Sequence, residues 1–142
     1  MWYNLIIRWM LSSPIHGLLS ENVMLISFKG RNSGKEYAIP VNYVQSDGIV
    51  LVTSYRHRTW WRNLREGVPV TLRIRGQNFK GIGESITSKT YVIKHLQDYV
   101  QKVPKHAKYF NVALDSDGNP NLEDIARAAQ DRVGIRIQLK TS

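Results

Sequence analysis

The chain of 142 residues contains no cysteine, and this absence excludes several classes of site. Disulfides, cysteine-ligated zinc, iron–sulfur clusters and a cysteine nucleophile all require a thiol. The four histidines are scattered, and no two have the spacing of a metal-binding pair such as H-x-x-x-H. We therefore expect no metal centre. A chain without cysteine also fits a reducing, cytoplasmic environment.

Long apolar runs are missing as well. No stretch of about 18 apolar residues occurs, so the sequence predicts no helix that spans a bilayer. The N-terminus has neither an early positive charge nor a small-residue cleavage site, and we expect no signal peptide. A short amphipathic helix is predicted there instead, ending before Pro14. Its apolar residues recur at helical spacing: Trp2, Leu5, Ile6, Trp9 and Met10.

This N-terminal segment has three possible roles. It could pack on the core, act as a lid over a binding site, or lie on a membrane surface with its aromatic residues at headgroup depth. Arg8 is its one basic residue, which favours core or lid packing over membrane contact. We expect a cytoplasmic location, and peripheral membrane association is the alternative.

Acidic residues are scarce: 11 Asp and Glu stand against 20 Lys and Arg, a net charge of +9. Residues 29–80 hold ten of the basic residues and three of the acids, a net charge of +7. A field of this size favours an anionic partner such as a phosphorylated cofactor, nucleic acid or an acidic membrane. The aromatic residues are not interleaved across one sheet face as stacking platforms would be, so we expect no nucleic-acid partner.

Six stretches have the apolar pattern and turn boundaries of strands. They are 23–28, 36–44, 49–54, 69–75, 79–87 and 133–139. Helices are predicted at 59–66, at 90–103, and from Asn121 as an N-cap. The alternation of strand and helix that marks a parallel sheet is absent.

We therefore predict a mostly β (α+β) chain, 1–142, forming one small antiparallel barrel of six strands with two to three peripheral helices. The N-terminal helix or lid occupies 1–20. Barrel strands with an inserted short helix occupy 22–88. Helices follow over 90–131, and the closing strand is 133–139.

The first turn, 30–35, reads Gly-Arg-Asn-Ser-Gly-Lys. It is not a Walker A loop, because three residues instead of four separate its glycines and a strand follows it. Backbone N–H groups in a glycine-permitted bend beside Arg31 and Lys35 suit the binding of one phosphate. An ordinary basic hairpin is the alternative.

A second anion site is predicted at the start of the 59–66 helix. Three cationic or polar side chains, Arg56, His57 and Arg58, precede Thr59 as a candidate N-cap. We expect Trp60 and Leu64 of this helix to face the core, with Arg62 and Arg65 pointing outward into solvent. The sequence offers no carboxylate pair and no Ser/His/Asp arrangement, so it favours binding a reactive cofactor over supplying acid–base chemistry itself.

Taken together, the order of these motifs resembles that of a known family. The turn G-R-x-S-G-K, a strand with Pro40, a hairpin, Ser54 and the helix W-W-x-N-L follow one another over residues 25–75. This order and spacing resembles that of the motifs in the deazaflavin-dependent nitroreductases, a family of the split β-barrel, FMN-binding-like superfamily.

The resemblance implies an oxidoreductase, monomeric or homodimeric, that transfers hydride from a reduced deazaflavin (coenzyme F-420), or from FMN, to a small electrophile such as a quinone, enone or nitro compound. A non-catalytic protein that sequesters a flavin is the alternative, followed by a membrane or nucleic-acid binder. The implied proton donors are Tyr109 and His106. The implied cofactor-binding residues are Arg31, Asn32, Ser33, Gly34, Lys35, Pro40, Asn42, Ser54, Tyr55, Arg56, Trp60 and Asn63.

Overall fold

The structure, a computed structural model, describes residues 23–140. Its six strands are β1 (Val23–Lys29), β2 (Glu36–Ser46), β3 (Ile49–Tyr55), β4 (Val68–Ile74), β5 (Gln77–Ile86) and β6 (Arg132–Leu139). They close into a barrel in the order β1-β2-β3-β6-β5-β4, with antiparallel pairing throughout. The predicted six-stranded antiparallel barrel is confirmed. The helix predicted within 1–20 lies outside the described residues.

Alternation along each strand separates the inside of the barrel from its outer face. In β1, for example, Met24, Ile26 and Phe28 point inward, while Ser27 and Lys29 point outward. Inward side chains from five of the strands make one apolar core: Met24, Ile26, Phe28, Tyr43, Val50, Val52, Val70, Leu72, Ile74, Val133, Ile135 and Ile137. The buried positions of β5 are glycines, Gly81 and Gly83. The β2–β3 turn is tight because Asp47 and Gly48 both adopt positive φ, 48° and 81°.

Two α-helices and two 3₁₀ helices complete the described chain. They are α1 (Lys89–Lys102), α2 (Leu122–Ala129) and the 3₁₀ helices Trp60–Leu64 and Pro104–Phe110. Ser88 and Asn121 cap α1 and α2, each accepting a backbone N–H with its side-chain oxygen. A second apolar cluster joins α1 to α2 beside the barrel. Within residues 23–140, no helix combines the length and hydrophobicity needed to cross a bilayer.

The helix Trp60–Leu64, hereafter the capping helix, corrects one expectation. Trp61 and Leu64 are its buried residues, whereas Trp60 is only partly buried. The reason is the helix type. A 3₁₀ helix has three residues per turn, so positions 61 and 64 share a face where an α-helix would pair 60 with 64.

Thr59 occupies the predicted N-cap position of this helix, but its side chain makes no capping hydrogen bond. Arg62 and Arg65 are exposed, with their guanidinium carbons 5.4 and 5.8 Å from the centre of the Trp61 ring. The two arginines therefore cover the outer side of the buried indole while their charges remain in solvent.

Candidate functional site

The β1–β2 turn has a shape that its two glycines permit. The Gly30 N–H donates to the Lys35 carbonyl at 2.7 Å, and the Gly34 N–H donates to the Gly30 carbonyl at 2.9 Å. A Cβ on Gly30 would lie 2.7 Å from both Ser33 Oγ and the Tyr37 ring. Gly34 adopts φ +69°, a conformation that favours glycine. Gly30 therefore leaves room for the side chains of Ser33 and Tyr37, and Gly34 allows the chain to reverse direction.

Most backbone N–H groups of this turn are used within the protein. Besides the two glycines, the Arg31 N–H donates to Asn63 Oδ1 at 2.8 Å and the Lys35 N–H donates to Ser33 Oγ at 3.2 Å. Among the described residues, nothing accepts from the N–H groups of Asn32 and Ser33. An anion bound here would meet those two N–H groups and the side chain of Arg31, which lines the same cavity as Asn32 and Ser33.

A cavity of about 440 Å³, which we call the turn cavity, lies between this turn and the capping helix. The Phe28 ring forms part of its wall, with its centre 5.9 Å from the Tyr37 ring and 6.1 Å from the Trp60 ring. Its lining is Phe28, Gly30, Arg31, Asn32, Ser33, Tyr37, Ile39, Thr59, Trp60 and Asn63. Five residues of the predicted cofactor set therefore meet around one cavity.

A larger cavity of about 750 Å³, the basic groove, adjoins the turn cavity along the outer faces of β1, β4 and β5. The two share Phe28, Gly30, Arg31 and Asn63 as lining residues. Five basic residues line the groove against one acid, Glu36. The basic residues are Lys29, Arg31, Arg73, Lys80 and Lys140.

Arg73 is the most constrained of these cations. One terminal nitrogen donates to Asn78 Oδ1 at 3.1 Å, while the buried Nε has no hydrogen-bond partner in the described part of the chain. A buried guanidinium N–H without an acceptor is costly, and an anionic group in the groove would satisfy it. Arg73, Lys80 and Lys140 are not among the site residues predicted from the sequence. The sequence did contain a signal for Arg73: the polar residues Thr71 and Arg73 alternate with the apolar residues of β4.

Pro40 and Asn42 lie on the outer face of β2, opposite Leu25 and Val23 of β1. Leu25 lines the basic groove, so Pro40 is next to its border, whereas neither Pro40 nor Asn42 is a lining residue. The structure thus places this pair beside the groove and outside it.

Ser54, Tyr55 and Arg56 lie at the same end of the barrel as the turn but line neither the turn cavity nor the basic groove. Ser54 is buried, and its hydroxyl donates to the Tyr55 carbonyl at 3.1 Å. The Arg56 guanidinium donates to the carbonyls of Thr87 and Arg132 at 2.9 and 3.2 Å. Its charge is directed at those carbonyls, away from the anion site expected at the start of the capping helix.

The Tyr55 side chain is held by Arg132, which is not among the site residues predicted from the sequence. The buried Arg132 places its guanidinium carbon 4.7 Å from the centre of the Tyr55 ring and donates to its hydroxyl at 3.3 Å. The same guanidinium lies 5.2 Å from the centre of the Phe110 ring. Tyr55 is thereby connected to the second 3₁₀ helix.

The implied proton donors, His106 and Tyr109, belong to that helix. His106 is 1% exposed, and its Nδ1 lies 3.2 Å from the Tyr99 hydroxyl. Burial lowers the pKa of His106, and Lys105 and Lys108 lower it further. Tyr109 is 55% exposed, with its ring centre 5.1 Å from that of His106. Neither residue lines the turn cavity or the basic groove.

Asp115, which resembles the first residue of a calcium loop, accepts the backbone N–H groups of Asp117 and Asn119 at 2.9 Å each. It therefore closes a local turn. Residues 23–140 contain no cluster of three or more His, Asp or Glu side chains suited to a metal ion.

Neither a protein-family model nor a curated protein matches the sequence. Solved structures do match, and three are an FAD-binding protein from Mesorhizobium loti, a general stress FMN/FAD-binding protein from Xanthomonas citri and the heme storage protein from Vibrio cholerae.

The Mesorhizobium protein is 15% identical, with a TM-score of 0.52 over 91% of this chain and 91% of that one. The Xanthomonas protein is 14% identical, with a TM-score of 0.54 over 86% and 78%. The Vibrio protein is 14% identical, with a TM-score of 0.54 over 93% and 92%. The structure and these similarities together show that the chain has the split β-barrel fold.

Proposed function

We propose that this protein is an oxidoreductase that binds a phosphorylated flavin-type cofactor, preferentially a deazaflavin with an anionic tail. The observation that carries the proposal is the union of the turn cavity with the basic groove, which meet at Arg31 and Asn63. The turn cavity has aromatic walls, and the basic groove is lined by cations. An elongated ligand with a planar ring and several negative charges has this same distribution of chemistry.

The residues present fit such a ligand. In the turn, Arg31, Lys35 and the N–H groups of Asn32 and Ser33 would hold the phosphate. Along the groove, Arg73 and Lys80 would hold further negative charges, and the buried Nε of Arg73 would gain its missing acceptor. FMN, with a single phosphate, is the alternative cofactor and would leave the far end of the groove unused.

The chain's own contribution would be binding, orientation and exclusion of water. When bound, a reduced deazaflavin or FMN supplies a hydride for a small electrophile such as a quinone, enone or nitro compound. Tyr109 is the accessible member of the implied proton-donor pair. The buried His106 would position it, because the two rings are in contact. The resemblance to deazaflavin-dependent nitroreductases and the flavin-binding names of two structural neighbours support this proposal.

A non-catalytic flavin-binding protein is the second candidate. It is favoured by one observation, that neither His106 nor Tyr109 lines the turn cavity or the basic groove. In that case the same cations would hold the cofactor, and no acceptor would be reduced.

Spectroscopy followed by turnover separates the candidates. The purified protein is titrated with FMN and with the oxidised deazaflavin while absorbance and fluorescence are followed. It is then given the reduced cofactor with menadione or a nitroaromatic compound. We expect saturable binding, tighter for the deazaflavin, and oxidation of the reduced form that depends on the acceptor. Binding without turnover would favour the second candidate, and no binding of either cofactor would reject both.

A further inference from the structure

A third cavity lies between α1 and the outer faces of β3, β5 and β6, and it shares no lining residue with the turn cavity or the basic groove. Its volume is about 470 Å³, within the range of small-molecule sites. We call it the α1 cavity. Leu51, Ile86 and Tyr91 provide its apolar lining.

His95 forms the most buried part of the lining of this cavity, at 4% exposure. Its Nε2 lies 2.8 Å from the Val52 carbonyl oxygen. The ring also lies against Gly134, where an added Cβ would be 2.6 Å from the ring Cγ. The imidazole is therefore held by a hydrogen bond on one side and by close backbone contact on another.

The contacts of His95 define its hydrogen-bonding state. A carbonyl oxygen only accepts, so Nε2 carries the hydrogen of this bond. Burial lowers the pKa of His95 to about 4, and the ring is therefore neutral at pH 7. Nδ1 is then left with a lone pair, and among residues 23–140 no donor reaches it. Nδ1 of His95 is therefore a fixed, neutral hydrogen-bond acceptor in the lining of the cavity, which also includes Ser85, whose buried hydroxyl has no partner among the described residues.

Charged groups around the cavity cancel one another. Lys94 and Asp98 form an ion pair at 3.0 Å, and Glu84 and Arg136 are register partners on β5 and β6. The lining therefore carries two positive and two negative charges. It does not select for the charge of a ligand, in contrast to the basic groove.

We propose that the α1 cavity is a binding site for a neutral hydroxylated aromatic molecule of the phenol class. The ligand's O–H donates to His95 Nδ1, and its ring packs on Leu51, Ile86 and Tyr91. This site is independent of the proposed cofactor groove, and it would exist whether or not the protein binds a flavin.

The test uses two matched probes, p-cresol and 4-methylanisole, on the full chain labelled with ¹⁵N-histidine. The probes share a methylated ring, but only p-cresol has a hydroxyl to donate. We expect p-cresol to bind about tenfold more tightly, the value of one ordinary hydrogen bond, and to shift the Nδ1 resonance of His95. Equal affinities, an unmoved Nδ1 resonance, or no binding of p-cresol at millimolar concentration would overturn the proposal.

Two variants complete the test. His95→Phe keeps an aromatic ring but removes the acceptor, and it should abolish the preference for p-cresol over 4-methylanisole. Tyr91→Ala removes a side chain that is 68% exposed, so the fold should be unaffected. This variant should weaken the binding of both probes by a similar factor. If His95→Phe does not fold, the wild-type resonance shift and Tyr91→Ala still decide the question. Unchanged affinities in Tyr91→Ala would place the probes elsewhere.

Discussion

The side-chain oxygen of Asn63 accepts a hydrogen bond from the backbone N–H of Arg31 at 2.8 Å. Its amide nitrogen donates to the Trp60 carbonyl at 3.0 Å within the capping helix. One side chain therefore connects the glycine turn to the helix that closes the barrel end. The turn and helix motifs, 32 residues apart, are parts of one structural unit.

Two replacements of Asn63 separate its roles. Asn63→Leu removes both hydrogen bonds and leaves the Arg31 N–H without its acceptor, so the free energy of unfolding should fall by about 1–3 kcal/mol. Asn63→Asp keeps that acceptor and should lose less stability. It also places a negative charge beside Arg31, so it should weaken FMN binding more than its effect on stability suggests. Urea unfolding and cofactor titration measure the two effects. Equal stability of Asn63→Leu and the wild type would contradict the structural role.

The two tryptophans of the capping helix should respond differently to truncation. Trp61 is 4% exposed and Leu64 is fully buried beside it. Trp61→Ala should therefore cost about 3–5 kcal/mol of unfolding free energy. Trp60 is only partly buried and lines the turn cavity, so Trp60→Ala should cost less and should instead weaken flavin binding. Thermal unfolding and cofactor titration of both variants check this. A larger stability loss for Trp60→Ala would restore the assignment made from the sequence.

The sequence predicted the barrel because its signals are local. Alternating apolar residues and the Asp47-Gly48 turn define strands without reference to distant residues. Trp61 was missed because helix type depends on packing, and a 3₁₀ helix changes which residues share a face. Arg73 and Lys80 were missed because barrel closure, which pairs β1 with β4 and β4 with β5, is what brings them into one groove with Arg31. Contacts between strands that are far apart in the chain produce no motif of fixed spacing in the sequence.

Charge removal should distinguish the two ends of the proposed cofactor site. Arg31→Ala with Lys35→Ala should weaken binding of both FMN and the deazaflavin by about 2–4 kcal/mol, as expected for two charge-assisted contacts. Arg73→Gln with Lys80→Gln should affect the deazaflavin much more than FMN, because only a long anionic tail reaches that part of the groove. Isothermal titration in low and high salt provides the affinities, and both losses should shrink as salt rises.

The matched control for these pairs is Arg62→Gln with Arg65→Gln. It removes the same charge from exposed side chains that cover Trp61, outside both cavities. Cofactor affinity should change little. A loss equal to that of the Arg73 and Lys80 pair would mean that only the overall positive charge matters. The groove would then have no specific role.

Stability should depend on pH through His95. Its pKa is about 4 in the folded protein, against an ordinary value of 6.5. Between these values the unfolded chain binds more protons than the folded one, so the free energy of unfolding falls as the pH falls. The full difference corresponds to about 3 kcal/mol, lost progressively from pH 6.5 down to 4. The lowered pKa of His106 acts in the same direction.

Urea unfolding midpoints measured from pH 7.5 to 4.5 test this dependence. Asp115 and Asp124 also have lowered pKa values, but they lose their ionised form only below their ordinary 3.8, outside this range. We expect the wild-type midpoint to fall steadily across the range. His95→Phe should begin lower, because it lacks the bond to Val52, and should show a shallower slope. His57→Gln, which alters an exposed imidazole, should retain the wild-type slope. A wild-type slope in His95→Phe would show that other groups control acid unfolding.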